Sequence, residues 1–451
     1  MTELHMDAAS GSRSRLSPWL RQRPDRRNLE GARDSAPPVP SAGIKAHVPT
    51  CSTDALLPDR RRGLMVLLAA LTALPAMAID MSLPALPDLA ADLGVGSAAA
   101  QLSISVFLAG FAAAQLLCGS LSDRFGRRPV LLVGLSLFAL AGLLCAVAST
   151  LPVLLASRAL QGVGACAGTV LARAIIRDLY SGEEAAVKLS QATTIMALAP
   201  VLAPSIGGMI HASFGWRAIF LLLGVCGTVL VLLTAFGLPE TIRTKDSKAL
   251  NPGTMARHAM SFFRCRQAIG NALVAAFLFG GMFSYIAASP FALMEALGIG
   301  TAAYAAIFAV TALGIMAGSF AGTRLIRVVG HIRLMMIGLV LGAVAGLMLL
   351  ALALVGWVDV GNLMVLAALY TTARGLVVPA ATAAALEPMG RTAGLASGLL
   401  GALQMTAATA AVSTVGLFGD PLLGMGATLA MFGVASLVCC LGTQGVTSWR
   451  R

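Results

Sequence analysis

The sequence is short of charge: Asp, Glu, Lys and Arg make up 12% of its 451 residues, about half the share of a soluble globular domain. With 57% hydrophobic residues and a mean hydropathy of +0.84, that shortage points to a chain that crosses a membrane many times. Strict polar–apolar alternation is also missing, as in LLVGLSLFALAGLLCAVA (131–148). A membrane β-barrel would alternate over stretches of about ten residues. Here the apolar segments run for about twenty residues or more, the length a helix needs to cross ~30 Å of hydrocarbon. No cysteine pair has the CxxC spacing of a metal site, and Cys118, Cys145, Cys166, Cys226, Cys439 and Cys440 lie inside apolar runs. They are expected to be small hydrophobes in helix packing rather than a disulfide framework. The five histidines are scattered, with no HExxH or His-rich tract, so no metal and no cofactor are expected. The catalytic constellation of a membrane enzyme, the soluble domain of a sensor and the re-entrant filter of a channel are absent as well.

Residues 1–60 differ from the rest, being polar and rich in Arg, Pro and Ser, as in RSRLSPWLRQRPDRR and SAPPVPSAG. Such a segment cannot bury enough apolar surface to fold alone, and a disordered basic cytoplasmic tail is expected. It is not a cleavable signal peptide, and Glu3, Asp7, Asp25, Glu30 and Asp34 count against a transit peptide. Twelve spanning candidates follow, the first near residues 64–86. The longest connection, PETIRTKDSKALNPGTMARHAMSFFRCRQ, is polar and basic. It divides the chain into an N-terminal six-helix bundle (61–240), a cytoplasmic central loop (241–267), a C-terminal six-helix bundle (268–445) and a cytoplasmic C-terminus (446–451).

Orientation follows from the basic residues. A cytoplasmic N-terminus places Arg60–Arg62, Arg124, Arg127, Arg128, Arg173, Arg177, Lys188, the basic central loop, Arg324, Arg327, Arg333, Arg391, Arg450 and Arg451 inside, and Arg217 outside. Asp88, Asp92, Glu295, Asp359 and Asp420 then lie outside. This asymmetry obeys the positive-inside rule and accounts for much of the formal net charge of +12 without nucleic acid. The basic tail has a secondary option of touching anionic lipid. The expected setting is the cell inner membrane, multi-pass, with both termini cytoplasmic.

GSLSDRFGRRPVLLVG (119–134) joins the second and third spans. Gly119 and Gly126 permit a turn or close backbone approach, and Asp123 can pair with Arg124, Arg127 or Arg128 or with a helix N-terminus. A worn copy, GSFAGTRLIRVVGHIRLMMIG (318–338), stands at the corresponding place in the second half without an acidic residue to match Asp123. RALQGVGACAGTVLA from Arg158 and RGLVVPAATAAALEP from Arg374 form another internal echo. Repetition of a six-helix unit predicts a pseudo-symmetric, two-lobed transporter with a midplane site. GVGACAG superficially resembles a dinucleotide fingerprint, but no strand precedes it. Small residues on a helix face instead allow close helix packing. In ALAPVLAPSIGGMI (197–210), Pro200 and Pro204 remove backbone hydrogen bonds while Gly207 and Gly208 allow a tight crossing.

The 119–134 motif resembles that of the major facilitator superfamily. AIDMSLPALPDLAADLG, RALQGVGA, AIIRDLY and GWRAIF resemble its Bcr/CflA-type drug-resistance branch, which includes exporters of bicyclomycin and amphenicols. The resemblance covers nearly all of 64–443 and is stronger in the first half. It implies an all-α integral membrane protein with twelve transmembrane helices in the major facilitator fold. It further implies that Gly119, Asp123, Arg124, Gly126, Arg127 and Arg128 latch the halves together at the cytoplasmic face. By the same resemblance Arg158 takes part in proton coupling, and Pro200, Pro204, Gly207 and Gly208 form the helix-bend signature of antiporters. Many members have glycine where Ala199 stands.

Asp80 is the costly residue of the first span, because hydrocarbon penalises a carboxylate by several kcal/mol. Desolvation favours its neutral form, a nearby cation such as Arg158 favours its charged form, and cavity water moderates both. A carboxyl poised in this way can exchange a proton while drug moves the other way. The alternative is that Asp80 caps the helix before Pro84. Arg158 likewise has two readings, a snorkelling interface arginine or a charge lining a water-filled cavity. Candidate substrate contacts are Gln115, Gln161, Met196, Phe279, Phe283, Tyr285 and Gln404, polar or adaptable residues in aliphatic spans, together with Arg374. Arg374 suits an anionic or carbonyl-rich group. The expected partners are a small-molecule drug, protons and the lipid bilayer, with no nucleic acid, and the expected functional unit is a monomer. A proton-coupled uptake symporter for a small metabolite is the alternative, and a non-transporting membrane sensor a more distant one.

Overall fold

A computed structural model describes residues 58–242, 245–247 and 249–444. The expected tail up to residue 57 and the C-terminus at 446–451 lie outside the described residues, as do Arg243 and Lys248 and the side chains of Arg60–Arg62 and Arg391.

Among the described residues the chain is helical with no strand, and it forms twelve spans long and apolar enough to cross a membrane. The first is broken: α1 (Pro58–Asp80) gives way to a turn at Met81–Ser82, a 3-10 turn at Leu83–Ala85, and then α2 (Leu86–Asp92). Next come α3 (Ser97–Phe125), α4 (Arg127–Ala146), α5 (Leu151–Leu179), α6 (Gly182–Phe214) and α7 (Trp216–Gly237). A short helix, α8 (Pro252–Arg264), lies in the central connection. It is followed by α9 (Arg266–Pro290), extended by a π-helical turn at Phe291–Ala296, then α10 (Thr301–Val329) and α11 (His331–Val355). The last three are α12 (Val360–Leu386), α13 (Ala393–Val415) and α14 (Pro421–Gln444). An even number of spans puts the start of α1 and the end of α14 at one face, here the terminal face.

Prolines shape these helices by orphaning carbonyls four residues back, and a serine hydroxyl answers two of them. Pro290 frees the Ile286 carbonyl, which accepts from Ser289 Oγ at 3.1 Å. Pro379 frees the Gly375 carbonyl, which accepts from Ser319 Oγ of α10 at 3.3 Å. Pro75 frees the Leu71 carbonyl, and Gly168 of α5 seats so closely that a Cβ there would stand 3.0 Å from that oxygen. Pro200 and Pro204 leave α6 one continuous helix.

In the first half α5 packs on α3, α4 and α1, while α7 packs on α4 and α6 on α1. In the second, α9 packs on α12, α13 and α14, while α12 also packs on α10 and α11. Two seams join these sets, α3 against α13 and α6 against α10. The first carries a hydrogen bond from Ser413 Oγ to Ser105 Oγ at 3.2 Å, and the second brings Gly208 against Thr301. Both contacts lie toward the face opposite the termini.

Candidate functional site

The turn after Asp80 builds the site. Pro84 has no N–H to offer the Asp80 carbonyl, and the Ser82 N–H bonds Ile79 at 3.1 Å instead of Ala78. The Ala78 carbonyl therefore projects from the end of α1. Arg158 of α5, with no exposed surface, donates to it through Nη1 at 3.1 Å. The same nitrogen reaches Gln161 Oε1 at 2.7 Å, and Nε reaches the Ser103 carbonyl at 3.3 Å. Phe107 and Phe220 flank the guanidinium, their ring centroids 4.6 and 5.5 Å from its carbon. A cation at a helix C-terminus complements the helix dipole. Full burial in this conformation is not the setting of a snorkelling arginine, and Nη2 has no hydrogen-bond partner among the described residues.

Asp80 is 5% exposed. Among the described residues its carboxyl has no hydrogen bond or ion pair, including none to Arg158. The expected neighbouring cation is thus engaged with the main chain two residues earlier. The Leu83–Ala85 turn packs on α6 and α10, and Tyr304 of α10 is fully buried. Its hydroxyl pairs with Ser289 Oγ at 3.1 Å. Deeper in, Tyr285 OH pairs with Thr311 Oγ1 at 3.0 Å, and Thr371 Oγ1 donates to the Thr311 carbonyl at 2.8 Å. Gly207 brings α6 against the same turn, where a Cβ would collide with the Met81 carbonyl. Asp80 therefore sits where α1, α6 and α10 meet.

The 119–134 motif wraps the α3–α4 turn at the terminal face. Gly126 adopts φ +113°, a conformation closed to side chains, and a Cβ there would collide with the Glu240 carboxylate. Glu240 accepts from the backbone N–H groups of Arg127 and Arg128 at 2.9 and 3.3 Å, capping α4 from beyond α7. Arg127 joins Asp123 at 2.6 Å and Asp178 of α5 at 3.0 Å. Arg128 Nη2 donates to the Ala235 carbonyl at 2.6 Å, while exposed Arg124 lies over Phe125. All these partners belong to the first half or the segment just after it. In this conformation the motif ties its own half together, and no hydrogen bond or ion pair among the described residues joins it to α9–α14.

The substrate candidates separate into two groups. Gln161 and Tyr285 are buried and hydrogen-bonded within the protein, and Phe283 is buried against Phe279. Gln115, Met196, Phe279, Arg374 and Gln404 are half-buried. Gln115 reaches across the first seam to the backbone at Gly401. Arg374, midway along α12, has no hydrogen bond or ion pair among the described residues, and its guanidinium carbon lies 5.0 Å from the Phe279 ring centroid. At the face opposite the termini a cavity of about 480 Å³ is lined by Asp88, Asp92, His211, Trp216 and Arg217.

Asp178, Glu240, Tyr304 and Ser289 are site partners that sequence reasoning missed. Asp178 lies inside the quoted AIIRDLY, and Glu240 opens the central connection. Neither position shows its partner, which is remote in the chain.

The Major Facilitator Superfamily model matches residues 68–413. An uncharacterized MFS-type transporter, YdgK, of Bacillus subtilis is 33% identical over 392 residues, covering 86% of this chain and 96% of that protein. A bicyclomycin resistance protein homolog of Haemophilus influenzae is 30% identical over 75% of this chain and 84% of its own length. The multidrug resistance protein MdtL of Escherichia coli O81 is 33% identical over 82% of this chain and 91% of its own length. Among solved structures, a D-xylose-proton symporter superposes with a TM-score of 0.66 at 16% identity, covering 84% of this chain and 96% of that one. A bacterial homolog of the lysosomal transporter Spinster, captured inward-facing, gives 0.62 at 15% identity, with 86% and 98% covered. The twelve-span fold, the family match and the drug-resistance relatives agree: this chain is a transporter of the Major Facilitator Superfamily, of the Bcr/CflA type, and not an enzyme.

Proposed function

We propose that the chain exports small amphiphilic drugs, amphenicol- or bicyclomycin-like, in exchange for protons by alternating access of two six-helix bundles (61–240 and 268–445). The observation that carries this is the isolation of Asp80. A buried carboxyl without a partner, at a helix break touched by both halves, is costly in its charged form. Its protonation is therefore tied to which face is open. Opening the face opposite the termini would wet the turn and let Asp80 exchange its proton. With that face closed again the acid stays neutral until drug, entering from the terminal face, displaces the proton to that side. Phe279, Arg374, Gln115 and Gln404, half-buried residues of the facing halves, contact the drug. Each proton moving inward across 100 mV supplies about 2.3 kcal/mol.

The drug-resistance relatives favour export, and the basic residues favour the inner membrane with both termini cytoplasmic, a monomer being sufficient for the cycle. Everted vesicles test the direction of coupling. Acidified inside, they should accumulate drug and lose their pH gradient as drug enters. Asp80→Asn should abolish drug-driven proton release while the protein remains in the membrane. Accumulation only with the opposite gradient would identify an uptake symporter, and undiminished coupling in Asp80→Asn would remove Asp80 from the mechanism.

A further inference from the structure

The helix α8 is not used by the transport cycle described above, and its surface is divided in an unusual way. At about 100° per residue, its sequence PGTMARHAMSFFR sorts into three stripes. Met255, Ala259 and Phe262 form the first, with Phe262 fully buried among Ala268 and Ala272 of α9, Ala385 of α12 and Ala396 of α13. Ala256, Met260 and Phe263 form the second, and it is bare: Met260 is 51% and Phe263 46% exposed. Arg257, Ser261 and Arg264 form the third, also exposed. Ser261 turns its hydroxyl back onto the His258 carbonyl at 2.7 Å. Neither arginine has a hydrogen bond or ion pair among the described residues. From Ser247 to Met294 the chain contains no Asp or Glu to answer them.

A helix anchored to protein on one third, apolar and bare on the next, and cationic on the last matches the boundary between hydrocarbon and headgroups. The helix sits just before α9 enters its span, so the lipid leaflet is its neighbour. We propose that α8 lies in the headgroup layer of the terminal face and binds anionic phospholipid. Met260 and Phe263 enter the acyl boundary, while Arg257 and Arg264 engage phosphates. The attachment holds the central connection against the leaflet and does not depend on which substrate the protein carries.

Hydrogen–deuterium exchange of the full chain tests this in single-copy nanodiscs of phosphatidylcholine alone or mixed with phosphatidylglycerol. Amides of 252–264 should exchange roughly tenfold more slowly with phosphatidylglycerol, since each basic residue near an anionic surface strengthens binding about fivefold. Arg257→Gln with Arg264→Gln should erase that lipid dependence without changing exchange in phosphatidylcholine. Met260→Ser with Phe263→Ser should speed exchange in both lipids. The melting temperature of each variant separates loss of lipid contact from misfolding, because Phe262 and its core are left intact. Equal exchange in the two lipids, or a dependence that survives the double glutamine variant, would overturn the proposal. Slowing that follows two copies per disc rather than lipid charge would overturn it too, by assigning this face to a second copy.

Discussion

Arg158 donates to the carbonyl of Ala78 at 3.1 Å and leaves the carboxyl of Asp80, two residues later, without a partner. The cation therefore fixes the end of α1 and keeps the acid available. A direct ion pair would hold Asp80 ionised and make it harder to protonate.

Arg158→Lys should consequently disable the protein although charge is kept. A single ammonium cannot reproduce the guanidinium fork that reaches the Ala78 and Ser103 carbonyls and Gln161. Each buried acceptor left unpaired costs about 1–3 kcal/mol. We expect a lower melting temperature in detergent together with lost drug export. A fully stable, fully active Arg158→Lys variant would show that the fork does not matter.

Two glycines of one motif should behave oppositely. At Gly119 a Cβ meets nothing within 4 Å, whereas Gly126 combines φ +113° with a collision against Glu240. Gly119→Ala should be nearly neutral. Gly126→Ala should lower stability, as should Glu240→Gln, which weakens the cap on α4 by roughly 1 kcal/mol. Thermal unfolding of the three variants side by side checks the order.

The twelve spans were legible because hydrocarbon thickness imposes a length that apolar runs reveal directly. Asp80 was legible for the related reason that a carboxyl in such a run is expensive. What Arg158 binds was not legible, since the Ala78 carbonyl becomes an acceptor only where the helix breaks. Orientation was also hidden: Gln161 and Tyr285 face protein while Gln115 and Arg374 are half-exposed, yet all sit in segments whose lipid and protein sides are equally apolar. The central connection was read by its charge, which masked the helical spacing of Met255, Ala259 and Phe262 in α8.

The contact between Ser105 and Ser413, Oγ atoms 3.2 Å apart across the α3–α13 seam, offers a lock on the cycle. In a background stripped of native cysteines, Ser105→Cys with Ser413→Cys should form a disulfide on mild oxidation, since the distance suits Cβ atoms a few ångströms apart. Oxidised protein should bind drug but not transport it, and reduction should restore transport. Transport unaffected by a complete cross-link would mean that this seam never opens.

Arg374 gives the most discriminating test of the binding space. A half-buried guanidinium with no anion or carbonyl partner is unfavourable for folding by itself, so a ligand role and a structural role predict opposite signs. If it serves drug, Arg374→Met should raise the melting temperature, because the unpaired charge is removed and the methionine packs on Phe279, which now lies 5.0 Å from the guanidinium carbon. The same change should weaken binding of carbonyl-rich or anionic drugs by roughly three- to thirtyfold, the range of one lost cation–π or charge-assisted contact. Purely cationic drugs should bind as well or better. Equilibrium binding to purified protein, measured beside thermal unfolding, reads both quantities in one preparation. A fall in melting temperature with unchanged affinities would make Arg374 a packing residue and move the drug site elsewhere along the seams.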